Sequence, residues 1–261
     1  MTAPAIWPTR LVSDLVTALA FSTRLPLGFM ASRVDHDLKR ASWALPIAGA
    51  LVGLAGALAY WAAFRLGIAP PSAAAIALVA TAIITGCLHE DGLADTADGF
   101  GGGATRERKL AIMRDSRIGT FGVCALIASF GLRWSALVTL AEPALVAAAL
   151  IAAHVAARGM LPAFMRFVAP ARPDGLSARV GRPPATSVVA AAVVGLVVLG
   201  VALRPLAAIS ALLCLVAAGV FMAWLTIRQI GGQTGDVLGA LEQVGEALVL
   251  LTTATVWHAH A

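Results

Sequence analysis

The chain has 261 residues, 59% of them hydrophobic and only 13% charged, with a mean hydropathy of +0.86. Water-soluble domains carry about 25% charged residues, so this balance excludes an ordinary soluble fold. The formal net charge of +5 does not point to nucleic acid, because the basic residues are strung through loops between apolar runs.

The N-terminal MTAPAIWPTR has no basic region leading into an apolar core and a small-residue cleavage site, so the spans themselves are expected to drive insertion. Leu11–Thr23 is short and carries Asp14, which predicts an interfacial or re-entrant helix. A spanning helix needs about 20 apolar residues. Seven segments reach or approach that length: Trp43–Phe64, Ser72–Leu88, Phe121–Leu140, Ala144–Met165, Ser187–Leu203, Leu206–Ile227 and Val237–Trp257. Pro70–Pro71, Pro143 and Pro205 stand just before spans, where a helix start tolerates proline. The fold class is therefore all-α: a polytopic integral-membrane helical bundle, one domain over 1–261, whose active-site loops fall around 89–120 and 228–246. The dominance of Ala, Val and Leu suits closely packed helices. Cys87, Cys124 and Cys214 lie in separate apolar segments at no zinc spacing and read as buried packing residues.

Basic residues set the orientation. Arg33, Lys39 and Arg40 precede the first span, and Arg106, Arg108, Lys109, Arg114 and Arg117 follow the second. Arg166, Arg172, Arg179 and Arg182 follow the fourth, and Arg228 the sixth, while the alternate loops offer only Arg65 and Arg204. Seven alternating spans place every basic-rich loop on one side, the cytoplasm, with His258 and His260 on the other. The loop Pro170–Pro184 is rich in Pro, Gly and Arg and reads as a mobile connector or a substrate lid.

The second span runs into HEDGLADTADGFGGG, His89–Gly103. On a helix continuing from that span, Asp91, Asp95 and Asp98 fall near 0°, 40° and 340° at about 100° per residue, one narrow stripe. Stacked carboxylates repel each other unless a cation sits among them, and a few hard oxygen ligands completed by water and phosphate describe a Mg2+ site. Glu90 points off the stripe, toward solvent or an arginine. His89 reads equally as a partner of a carboxylate or an interfacial histidine. The run Gly99–Gly103 is expected to break the helix and offer amides, those of Gly101 and Gly102 included, to a phosphate.

Met113–Gly122 holds Arg114 and Arg117, whose forks match phosphate oxygens, with Ser116 beside them as a further substrate contact. Ser116 and Thr120 are also placed to cap the third span. Within the spans, His154 and Arg158 share a face, with Arg158 near enough to the cytoplasmic end to snorkel, and Arg133 needs a partner that spacing does not name. In GGQTGDVLGALEQVGE, Gly231–Glu246, Asp236 reads as a cap. Gly239, Glu242 and Glu246 fall near 300°, 240° and 280° relative to it, a stripe of close packing with inward carboxylates that predicts a second metal or a proton path. Metal, arginines and glycine-rich amides at a membrane surface point to phosphoryl transfer.

Five stretches resemble the cobalamin synthase family, the adenosylcobinamide-GDP ribazoletransferases: FSTRLP (Phe21–Pro26), HEDGLADTADG (His89–Gly99), RERKLAIMRDSRIGTFGV (Arg106–Val123), ARG (Ala157–Gly159) and GGQTGDVLGALEQVGE. Glu90 stands where the family often carries an apolar residue. The resemblance implies the last assembly step of the cobalamin nucleotide loop. The ribose 3′-hydroxyl of α-ribazole, or of its 5′-phosphate, attacks the phosphorus nearest cobinamide in adenosylcobinamide-GDP, and GMP leaves. It implies that Asp91, Asp95 and Asp98 hold magnesium against the diphosphate, and that one of them, or Glu242 or Glu246, acts as general base. Arg114 and Arg117 would grip phosphate oxygens, and Gln233, Thr234 and Asp236 would orient a nucleotide. It also implies the bacterial inner membrane as location, with small-molecule substrates, the lipid bilayer and a homo-oligomer as the expected partners and no nucleic acid. A CDP-alcohol-type membrane phosphotransferase shares the chemistry, but its usual motif is not reproduced. A secondary transporter would favour inverted repeats, and none is evident.

Overall fold

The computed structural model describes residues 7–27 and 37–259, so Arg33 and His260 lie outside the described residues. An N-terminal helix, α1 (Trp7–Ser22), precedes α2 (Leu38–Ala41), which passes through the 3-10 turn Ser42–Ala44 into α3 (Leu45–Arg65). Then follow α4 (Pro70–Thr85), α5 (Leu88–Gly102), α6 (Arg106–Ile112), α7 (Thr120–Leu140), α8 (Pro143–Phe167), α9 (Leu176–Val180), α10 (Ala185–Ala202), α11 (Pro205–Ile230) and α12 (Gly235–His258). The only extended pairing among the described residues is an isolated parallel bridge between Pro170 and Gln233.

Among the described residues, six helices are long and apolar enough to cross a membrane: Leu38–Arg65, Thr120–Leu140, Pro143–Phe167, Ala185–Ala202, Pro205–Ile230 and Gly235–His258. The shorter α4 passes the same test only together with α5, as a pair bent by 90°, which would bring the crossings to seven. All seven expected segments are helices, and proline opens α3, α4, α8 and α11 in the first turn.

The second span does not run on into the acids. Gly86 at φ +65° and Cys87 at φ +57° break the chain, and α5 leaves α4 at 90°. The FSTRLP segment reinforces this corner. Arg24 donates its backbone N–H to the Ile84 carbonyl at 2.7 Å, and its side chain lies where a Cβ on Gly86 would stand. Because α5 swings off the crossing and carries four acids, it is not itself a span.

Small residues bring the spans together. A Cβ on Gly53 of α3 would lie 2.7 Å from the Ile151 Cα on α8, and one on Gly49 would collide with the His154 carbonyl. The apolar core runs along this contact, through Tyr60, Leu137, Leu150, Val249 and Leu250. Expectation and structure part at the cysteines: Cys87 and Cys124 are exposed and Cys214 half-buried, facing outward from the bundle rather than packing inside it. The α1 helix is tied to the bundle by buried Asp14, which accepts hydrogen bonds from Arg40 Nε at 2.8 Å and Trp43 Nε1 at 2.9 Å.

The loop 170–184 is a strap. Ala171 N donates to the Gln233 carbonyl and Gln233 N to the Ala169 carbonyl, both at 2.8 Å. Arg106 locks the junction by donating from Nε to the Ile230 carbonyl at 2.7 Å and from Nη2 to the Ala171 carbonyl at 2.6 Å.

Candidate active site

Helix α5 lies against α12 with glycine on both sides, because a Cβ on Gly92 would meet the Asp236 carbonyl oxygen at 2.8 Å. Asp91 and Asp236 therefore line one cavity of about 170 Å³, together with His89, Gly239 and strap residues Arg172 and Ser177. A larger cavity of about 480 Å³ between α8, α10 and α11 has no ionisable residue in its wall.

The three aspartates of the stripe divide by environment. Asp91 is exposed, Asp95 half-buried and Asp98 buried. The Asp95 carboxyl is pushed up to about 7, first by burial and then by the negative charge of Asp91, Asp236 and Asp98. Asp98 faces the other way. It accepts the Gly119 N–H at 2.6 Å on one oxygen and the Gly122 N–H at 2.8 Å on the other, so it caps α7 from a different helix. That role was expected of Ser116 and Thr120; instead Gly119 is the N-cap and no side chain of its own caps the helix.

The glycine run also differs from expectation. Gly101 and Gly102 are the last residues of α5, so their amides belong to the helix ladder rather than to an open turn. Glycine is needed there for packing: a Cβ on Gly101 would lie 2.6 Å from the Phe121 ring, and one on Gly99 2.5 Å from Met113 Cγ.

The remaining expected contacts are distributed around this face. Arg114 pairs with Asp174 of the strap, and Arg117 pairs with Asp115 at 2.6 Å. That hydrogen-bonded pair draws the Asp115 carboxyl down to about 2. Ser116 is exposed. Gln233 is buried, and its Oε1 accepts from Ser177 Oγ at 2.7 Å, so it secures the strap. Thr234 caps α12, accepting the Val237 N–H at 3.3 Å and donating to Asp236 Oδ2 at 3.1 Å. The cap expected of Asp236 thus falls to its neighbour, leaving Asp236 on the cavity wall.

Behind the cavity lies a buried polar network that joins four helices. Glu246 accepts from Arg133 Nη1 and from Arg158 Nη1, both at 3.0 Å, and pairs with His154. Glu242 pairs with Arg158 and lies 3.5 Å from His89 Nδ1, and Arg158 Nη2 lies 3.2 Å from the same ring nitrogen. Glu90 is buried, not solvated; it lies 3.6 Å from Arg133 Nη2 and accepts from Gln243 Nε2 at 3.3 Å. Arg158 is 1% exposed and does not snorkel, since the carboxylates of α12 hold it inside. Among the described residues, His154, Glu242 and Glu246 are the one group of such ligands whose donor atoms lie within 4.8 Å of one another. The guanidiniums of Arg133 and Arg158 pair with the same carboxylates, which ties the group into an ion-pair network. Asp91, Asp95 and Asp98 are not gathered to that spacing. Spacing alone identified neither the arginine partners nor Arg172.

Fold and cavity together define a polytopic membrane enzyme, with its ionisable machinery at the basic-rich end of the spans. A family profile described as cobalamin-5-phosphate synthase matches residues 14–254. The chain belongs to that family. It is 62% identical over 243 residues to a protein of Bradyrhizobium diazoefficiens named adenosylcobinamide-GDP ribazoletransferase, covering 93% of this chain and 94% of the relative. Proteins of the same name from Mesorhizobium japonicum and Azorhizobium caulinodans are 50% and 44% identical, over 95% and 93% of this chain and 95% and 96% of theirs. No solved structure matches the chain.

Proposed function

We propose that the chain is a magnesium-dependent adenosylcobinamide-GDP ribazoletransferase of the bacterial inner membrane, with its cavity facing the cytoplasm. The acceptor is α-ribazole or its 5′-phosphate. Its ribose hydroxyl attacks the phosphorus nearest cobinamide, a P–O bond forms as the bond to GMP breaks, and GMP carries away the leaving charge. The names and coverage of the relatives support the transfer. The observation that carries the site is the shared cavity wall of Asp91 and Asp236, with Asp95 one turn further along α5.

The residues fit a magnesium ion. The donors are carboxylate oxygens, and burial first, then the charge of Asp91, Asp236 and Asp98, lifts the Asp95 carboxyl to about 7, a crowding of acids that a cation would relieve. Asp91 and Asp95 would hold the ion; Asp98, engaged by two amides, anchors α7 beside them. When bound, magnesium neutralises diphosphate charge during transfer. Asp236, oriented by Thr234, takes the proton from the acceptor hydroxyl. Glu242 and Glu246 hold α8 to α12 through Arg158 and keep this wall in place.

A magnesium-titrated assay of GMP release from adenosylcobinamide-GDP and α-ribazole 5′-phosphate, in proteoliposomes, tests the reading. Magnesium-dependent GMP release is expected. Absence of GMP at every magnesium concentration rejects the transferase; full release in chelator rejects the ion.

A further inference from the structure

The cavity has lining of two unlike kinds. Phe21, Leu45, Leu161, Met165 and Val180 give it apolar lining, whereas Asp91, Asp236 and Arg172 bring charge. At about 170 Å³ it is small beside the roughly 300–1,000 Å³ of pockets for drug-sized ligands. That volume is on the scale of one flat bicyclic base and far below that of a corrin macrocycle. An apolar lining also suits a base with few hydrogen-bonding edges better than guanine.

Arg172 has weak partners for two of its nitrogens and none for the third. Its Nη2 lies 3.7 Å from Asp236 Oδ2 and its Nη1 3.5 Å from the Leu110 carbonyl, both long. Its buried Nε has no hydrogen-bond partner among the described residues. A side chain only 16% exposed, with a buried Nε unmatched, carries a cost, and a phosphate would satisfy it bidentately. The turn makes room for the fork, because a Cβ on Gly175 would lie 3.2 Å from Arg172 Nε.

We infer that this cavity is the acceptor subsite, seating the bicyclic base of the ribazole against Phe21, Leu161 and Met165 and its 5′-phosphate on Arg172. The inference rests on the transferase reading above. It places the ribose beside Asp236 and leaves the corrinoid donor outside, at the cavity mouth.

Steady-state kinetics of Arg172→Gln in proteoliposomes test it. The KM for α-ribazole 5′-phosphate is expected to rise about tenfold or more, the equivalent of one charge-assisted contact. The KM values for unphosphorylated α-ribazole and for adenosylcobinamide-GDP are expected to hold. A rise in the donor KM instead, or no rise in any, overturns the inference. Arg172→Lys keeps a charge for the fold and is expected to recover part of the affinity. Leu161→Trp, which crowds the apolar lining, is expected to abolish calorimetric binding of both free and phosphorylated ribazole without donor; unchanged binding overturns the seat. Calorimetry needs no turnover, so wild-type protein that binds ribazole but releases no GMP sinks the transferase reading, whereas normal turnover with unaltered KM values in Arg172→Gln sinks this inference alone.

Discussion

Gly92 on α5 and Gly239 on α12 face each other with no side chain between them, a Cβ on Gly92 falling 3.2 Å from the Gly239 Cα. Their contact sets the distance between Asp91 and Asp236. Gly92→Ala must push the helices apart, and misplacement of reacting groups by about 1 Å can cost about 10²-fold in rate. We expect a loss of that order in kcat with the protein still folded. Gly131→Ala, whose Cβ would meet nothing within 4 Å, should keep full activity in the same assay.

On the proposed reading, Asp98 anchors α7 and leaves the ion to Asp91 and Asp95. Asp98→Asn weakens the hold on the Gly119 and Gly122 amides at the start of α7. Hydrogen bonds to charged groups contribute about 1.5–3 kcal/mol, so thermal unfolding in detergent should shift down accordingly. Divalent-ion affinity should survive; its loss would make Asp98 a ligand.

The buried network predicts strong non-additivity. Arg133→Met takes from buried Glu90 its nearby guanidinium and from Glu246 one of its two, at a cost of about 3–5 kcal/mol. The double variant Arg133→Met, Glu246→Met removes both charges of the 3.0 Å pair and should be less destabilised than the single. A double-mutant cycle on thermal stability measures this, and simple addition of the two effects would contradict it.

The Asp95 carboxyl gives a pH signature. Its folded value near 7 lies above the ordinary 3.8, so the folded chain holds this proton where the unfolded chain has released it. In chelator the group therefore favours the fold at low pH, and that contribution fades as pH climbs from about 4 to 7. A divalent ion competes with the same proton. The half-saturating magnesium concentration should fall between about pH 6 and 8 in the wild type, and a value that stays constant over that range would contradict the assignment.

The spans, the inward stripe of Gly239, Glu242 and Glu246, and the acids of α5 were all legible in the letters, because each follows from helical periodicity and hydropathy. The corner at Gly86–Cys87 was not, since a glycine inside an apolar run looks like any other packing glycine until Arg24 crosses it. Gly99–Gly103 looked like a breaker by propensity, yet contacts with Met113 and Phe121 keep most of it helical. Arg133 and Glu246 are 113 positions apart, a pairing that only the fold creates. The same is true of Asp98 capping a helix 21 residues downstream.

The central claim is that Asp91 and Asp95 together hold one divalent ion at the cavity. Manganese suits the same oxygen ligands and can be counted by electron paramagnetic resonance. Titration of the purified protein should show one bound manganese per chain, displaced by magnesium and lost in both Asp91→Asn and Asp95→Asn. Undiminished manganese binding in those folded variants would contradict the account.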